Sequence, residues 1–245
     1  MPKRWTSERP DGAAATGTPG SQPAGRLSAA PTAIAADQAP EGSHPAAPGP
    51  AAAAVYVPPA GRQRRLVVVL HGAGGTPADA LALLRPAADA ACLLLLAPAS
   101  TGRTWDVLLG GYGPDLRRID AAVTAVSARW RVRPDRYVLA GFSDGASYAL
   151  SLGVANGDLV DAVVAFSPGF LAAGPRTGRV PVFVSHGTAD AVLPVERCSR
   201  RLVPRLRSAG HDVTYEEFRG GHEVPAAIRD KAVAWLTARR PAPTP

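Results

Sequence analysis

Gly141-Phe142-Ser143-Asp144-Gly145 places a hydroxyl nucleophile between small residues two positions away on either side. That spacing suits a sharp strand-to-helix turn, where a serine takes a strained backbone conformation and larger neighbours would clash. A serine hydroxyl is a weak nucleophile until a base takes its proton, and the base needs an acid to orient it. In an open parallel sheet all three must emerge at the carboxyl ends of the strands. Five histidines compete for the role of base. His44 lies in an N-terminal stretch poor in bulky apolar residues, and His211 precedes its predicted strand. His71 and His186 end apolar runs, but each is followed at once by Gly. His222, in Gly220-Gly221-His222 after the run Val213–Phe218, is free to lean over a sheet and is the expected base. Asp190, in His186-Gly187-Thr188-Ala189-Asp190, is the expected acid, with Glu196 as a rival that falls in a helical pattern. Asp144 and Asp158 read as solvent-facing or capping residues.

Acyl transfer also needs donors for a developing oxyanion. The Gly-rich run Leu70-His71-Gly72-Ala73-Gly74-Gly75 follows the first strong apolar run, and the amides of Ala73 and Asp144 are the candidates. A phosphate-binding loop is disfavoured, because the run has neither a Walker lysine nor the G-x-G-x-x-G form. Trp105 and Tyr112, in the loop after Leu93–Leu96, are expected to line an acyl or alcohol pocket, although aromatics in such loops serve equally well as packing anchors. No metal and no cofactor enter this chemistry.

The elements that must hold these residues alternate between strand and helix patterns. Strands are predicted at Val55–Val57, Leu66–Leu70, Leu93–Leu96, Arg136–Ala140, Val160–Phe166, Val180–Ser185 and Val213–Phe218. Helices are predicted from Pro77 to about Ala91 with an interruption at Pro86, from Pro114 towards Trp130, and over Gly145–Gly153, Glu196–Ala209 and Pro225–Arg239. Such alternation implies an α/β fold, a mostly parallel sheet with helices on both faces. The connections are too short for a separate lid domain.

Composition sets the outer limits. Residues 1–54 are Ala- and Pro-rich and are expected to form a disordered tail, leaving 55–240 as the catalytic domain. The net charge of +7 belongs wholly to the folded part, where it concentrates in Arg62/Arg64/Arg65, Arg129/Arg131/Arg133/Arg136 and Arg197/Arg200/Arg201/Arg205/Arg207. These clusters lack aromatic platforms and zinc spacing, so a solvated surface is expected and a nucleic-acid role is not. Cys92 and Cys198 read as structural thiols without a disulfide, although the arginines around Cys198 would favour its thiolate. No apolar run is long enough for a transmembrane segment, and the N-terminus lacks a signal-peptide core, so a cytoplasmic location is expected.

His71-Gly72-Ala73-Gly74-Gly75, the Ser143 pentapeptide, His186-Gly187-Thr188-Ala189-Asp190 with Pro194, and Gly221-His222 together resemble the bacterial phospholipase/carboxylesterase family of α/β-hydrolases. That family is similar in turn to acyl-protein thioesterases and polyhydroxybutyrate-depolymerase-like esterases. The resemblance covers roughly residues 55–238. Family members usually read Gly-x-Ser-Gln-Gly-Gly at the elbow, where this chain has Asp144 and Ala146. Dienelactone hydrolases are also similar but carry Cys at the position of Ser143. The resemblance implies an α/β-hydrolase fold and a serine esterase acting on small-molecule or lipid esters, with a thioesterase or (lyso)phospholipase as the alternative. A non-catalytic binding protein on the same fold is the rival from another class.

Overall fold

The computed structural model describes residues 25–45, 52–59, 64–109 and 111–239. The strands are β1 (Gly42–His44), β2 (Ala53–Val57), β3 (Arg65–Leu70), β4 (Leu93–Pro98), β5 (Tyr137–Phe142), β6 (Val160–Phe166), β7 (Val182–Gly187) and β8 (Val213–Phe218). They form one sheet in the order β1-β2-β4-β3-β5-β6-β7-β8. From β4 to β8 every neighbouring pair is parallel, and β2 runs antiparallel to β1 and β4. The unbroken apolar runs of β3 and β4 follow from this position, because both faces of those strands are covered.

Among the described residues five α-helices cover the sheet: α1 (Pro77–Ala88), α2 (Pro114–Ser127), α3 (Asp144–Ala155), α4 (Ser199–Ser208) and α5 (Ala226–Ala238). Leu66, Val68 and Leu70 of β3 join one core with α2, α3 and α4, while Val67 and Val69 join the opposite core with α1 and α5. Thr76 caps α1, its hydroxyl accepting from the Asp79 amide while the Asp79 carboxylate takes the Thr76 amide. Pro86 does not split α1 as expected; it lies within the last turn, where only one helical hydrogen bond is lost. The chain leaves β3 towards β4 on one side and returns to β5 on the other. The gap between the carboxyl ends of β3 and β5 is therefore the switch point where ligands enter such sheets.

The described part of the expected tail, residues 25–45, is docked on the domain. Composition misleads here because polar groups, rather than bulky side chains, hold the segment. Asp120 on α2 accepts from the amides of Ser28 and Ala29 and from the Ser28 hydroxyl, and Arg26 pairs with Asp158 at 2.7 Å. Buried Asn156 accepts from the Leu27 amide and donates to the carbonyl of Gly25. The segment thereby closes over the carboxyl end of α3, where Arg26 also donates to the Ala155 carbonyl. Residues 1–24 and 46–51 of the predicted tail lie outside the described residues.

The expectation of solvated arginines fails for Arg64 and Arg65 but holds for Arg129, Arg131, Arg197, Arg200, Arg201, Arg205 and Arg207, which are exposed, while Arg62 lies outside the described residues. Arg64 is 2% exposed and meets Asp37 and Glu41, and Arg65, 7% exposed, meets Asp161. Asn156→Ala is expected to destabilise the fold by about 1–3 kcal/mol for each buried group left unpaired. A urea-unfolding series would read this, and an unchanged midpoint would contradict the docking described.

Candidate active site

The tight turn between β5 and α3 gives Ser143 φ 57° and ψ −120°, a strained conformation for a residue with a Cβ. The turn exists because the backbone of Gly145 passes against the carbonyls of Leu70 and His71, leaving no room for a Cβ. The Ser143 amide is fixed on the Phe166 carbonyl. At the end of β7, Gly187 lies against the carbonyls of Gly220 and Gly221, again with no room for a side chain. The Thr188 amide binds the Phe218 carbonyl and the Ala189 amide that of Gly220, which staples the loop carrying Asp190 to the one carrying His222.

The three residues expected from sequence come together. His222 Nδ1 donates to Asp190 Oδ2 at 2.6 Å, and the Ser143 hydroxyl donates to His222 Nε2 at 2.8 Å. The Phe142 ring packs on the imidazole with centroids 4.6 Å apart. Asp190 is 5% exposed, and its Oδ1 accepts from the amides of Val192 and Leu193. Burial alone would raise its pKa; the Leu193 amide, His222 and the Val192 amide outweigh burial and hold the carboxyl below the usual carboxylate range. The rival Glu196 is exposed and paired with Arg200.

Asp144 is the first residue of α3, so its amide has no carbonyl partner within the helix. In the turn after β3 the Gly74 and Gly75 amides are engaged with Arg103 and Gly72 carbonyls, while the Ala73 amide has no partner among the described residues. Both donors proposed for an oxyanion are thus unspent, and Gly72 lies against the Ser143 Cβ. The Asp144 carboxylate is not simply solvated as expected: it accepts from the Thr104 hydroxyl at 2.8 Å, latching the loop after β4 to the elbow.

Trp105 does not line a pocket. It is fully buried, its indole N–H donates to the His71 carbonyl at 2.9 Å, and its ring stacks on Tyr148. Tyr112 is half-buried, stacked on Tyr148 and covered by Gly25. Both aromatics are anchors, and the loop they sit in is pinned by two buried carboxylates. Asp106 accepts from the Tyr148 hydroxyl and the Gly113 and Asp115 amides, and Asp115 from the Thr101 and Asp106 amides. Neither acid stood out in the sequence, since only tertiary contacts bury them.

His186 is the residue near the site that sequence reasoning passed over. It is fully buried, accepts from the Ser199 hydroxyl at Nδ1, and donates from Nε2 to the Leu193 carbonyl, with Asp190 Oδ2 3.3 Å away. Burial pushes its pKa down, as it does for His211. The unfolded chain takes up these protons near the ordinary histidine value of about 6.5, while the folded chain resists them. Their stabilisation is therefore complete above that value and is lost as pH falls from it towards the depressed folded values. The Asp190 contribution is lost only below the ordinary carboxylate range. Urea midpoints should thus drop between about pH 7.5 and about pH 5.5, and His211→Gln should flatten the drop. An equally steep drop in that variant would contradict the assignment.

Cys92 and Cys198 are free thiols, and burial raises the Cys198 pKa despite Arg197 and Arg201, so this thiol is not activated. Among the described residues no helix is long and apolar enough to cross a membrane.

Residues 117–236 match the phospholipase/carboxylesterase family model. The protein NocK of Nocardia uniformis subsp. tsuyamanensis, which carries an esterase name, is 32% identical over 148 residues, 56% of this chain and 43% of its own length. Acyl-protein thioesterase 1 of Gibberella zeae is 27% identical over 118 residues, 44% of this chain and 50% of its own. The chain thus matches about half the length of these curated relatives or less. The crystal structure of esterase PE8 superposes with a TM-score of 0.63 at 27% identity, covering 75% of this chain and 96% of that one.

Proposed function

We propose, from the α/β-hydrolase fold and the match of residues 117–236 to the phospholipase/carboxylesterase family model, that this chain is a serine carboxylesterase cleaving short-to-medium acyl esters. The observation that carries this reading is the continuous relay from Ser143 through His222 to Asp190, at 2.8 and 2.6 Å. In this reading Ser143 Oγ attacks the acyl carbonyl and its proton passes to His222 Nε2. Asp190 stabilises the imidazolium and keeps its Nδ1 proton in place. The Ala73 and Asp144 amides receive the oxyanion. His222 then protonates the departing alcohol, leaving an acyl-enzyme on Ser143. Water, deprotonated by the same imidazole, releases the acid.

Exposed Leu108 and Leu109, in a short 3-10 helix (Asp106–Leu109) after β4, and Val192, in the loop after β7, lie at the carboxyl side of the sheet and would offer apolar contact to an acyl chain. Free thiols fit a reducing compartment and hence a cytoplasmic enzyme. A thioester substrate is the second reading, favoured by the match to a thioesterase. Turnover of p-nitrophenyl esters of increasing acyl length, alongside matched thioesters, separates the two. Fluorophosphonate labelling tests the nucleophile. A label on Ser143 and a short-chain ester optimum are expected. A folded protein that takes no label, or one that turns over only long-chain phospholipids, would overturn the reading.

A further inference from the structure

A second concave site lies at the opposite end of the sheet from Ser143. Arg65 begins β3, Val160 and Asp161 begin β6, Arg136 stands just before β5, and Pro181 just before β7. With Arg179 and Arg239 these residues line a cavity of about 390 Å³, within the size range of small-molecule sites, about 300–1,000 Å³.

The charge of this cavity is not balanced by its own partners. Of its four guanidinium groups, Arg65 pairs with Asp161 and Arg239 with Asp212 at 2.6 Å. Among the described residues neither Arg136 nor Arg179 forms an ion pair, so two positive charges face the cavity unmatched. Arg136 makes a 3.4 Å contact to the Gly157 carbonyl, and the carboxylate whose charge it feels, Asp158, is already paired with Arg26. Arg65 Nε and Arg239 Nε are buried and have no hydrogen-bond partner among the described residues. A buried donor left unpaired costs about 1–3 kcal/mol, more when it is charged. Burial pushes the Arg65 pKa down, Asp161 opposes this, and Arg133 and Arg239 press it further down, the signature of crowded cations.

We infer that this cavity binds a dianionic phosphoryl group, either free phosphate or a phosphomonoester on a small organic molecule. Two unmatched charges call for a dianion, and guanidinium forks suit tetrahedral oxyanions with several acceptor oxygens. The cavity also has room beyond the phosphoryl group for an organic body. This site is independent of the ester chemistry at Ser143, at the other end of the strands.

The test is the unfolding temperature of the full chain, titrated with inorganic phosphate, ribose 5-phosphate, ribose, and sodium chloride at matched ionic strength. Phosphate and ribose 5-phosphate are expected to stabilise in a saturating manner, and ribose and chloride are not. Equal affinity for the two phosphates identifies the free anion as sufficient; tighter binding of ribose 5-phosphate identifies a carried phosphoryl group. The double variant Arg136→Gln/Arg179→Gln removes the two unpaired cations without breaking a buried pair. It should bind at least about ten-fold more weakly, while Arg117→Gln, outside the lining, should match the wild type. No stabilisation beyond that of chloride, or undiminished binding in the double variant, would overturn the inference.

Discussion

Ser143→Ala is expected to lower ester turnover by about 10⁴- to 10⁶-fold, the scale seen when the nucleophile of such a relay is removed. The remaining rate would come from substrate binding and from the Ala73 and Asp144 amides, which the substitution leaves in place. What makes the expectation specific to this chain is the backbone. Ser143 sits at φ 57°, ψ −120°, a conformation that costs any residue with a Cβ about 1–3 kcal/mol. Alanine keeps that strain, so the inactive protein should unfold at nearly the wild-type urea concentration. Ser143→Gly should be as inactive but more stable than either, because glycine adopts the conformation without penalty. Measuring kcat and the urea midpoint on all three proteins separates loss of chemistry from loss of fold. A glycine variant no more stable than alanine would mean that the elbow is not strained, and a turnover-competent alanine variant would mean that the nucleophile lies elsewhere.

Asp190→Asn should lower kcat by about 10⁴-fold with little change in KM, through the tautomer of His222. The tautomer depends on which end of the new amide faces the imidazole. Asp190 Oδ1 accepts two backbone amides, from Val192 and Leu193, so the asparagine carbonyl oxygen is confined to that position. Its NH₂ group must then take the place of Oδ2, facing His222 Nδ1 and standing near His186 Nε2. A donor there binds the unprotonated Nδ1, which puts the imidazole proton on Nε2, where it cannot accept from Ser143. The carboxylate that would stabilise the imidazolium is gone as well. Steady-state kinetics with the ester found in the chain-length series would check this. A fall confined to KM would point instead to a binding role for Asp190.

His186 explains why the acid is so well defined. Its Nε2–H holds the Leu193 carbonyl, and the Leu193 amide in turn holds Asp190 Oδ1, so the loop closes on itself around the carboxylate. Nothing in the spacing of His186 announces this. In sequence it is one of two histidines that end a strand before a glycine, and only burial distinguishes a supporting imidazole from a reacting one.

Much of the sheet was legible because apolar runs of four to seven residues between helical stretches are the right length for strands covered on both faces and too short for helices. The span Val160–Phe166 is the one expected from sequence, and so is that of the half-exposed edge strand Val213–Phe218. The meeting of Ser143, Asp190 and His222 was legible for a related reason: the chemistry proposed for them demands particular residue types at the ends of parallel strands, and few residues qualified. The docked segment 25–45 was not legible. Its partners Asp120, Asn156 and Trp130 are about 90–130 positions away, and its hydrogen bonds are mostly to its own backbone, which carries no sequence signal. Trp105 was misplaced because an aromatic in a loop looks the same whether it faces a ligand or the core.

By itself, then, the sequence determined the candidate nucleophile, its candidate partners and the strand ends that carry them, since local pattern and residue chemistry suffice to single those out. The tertiary structure alone decided which polar groups are buried, and that in turn sets how Asp190 is held, what the Trp105 loop does and where unmatched arginines gather. Burial is a sum over distant neighbours, and no stretch of chain contains it.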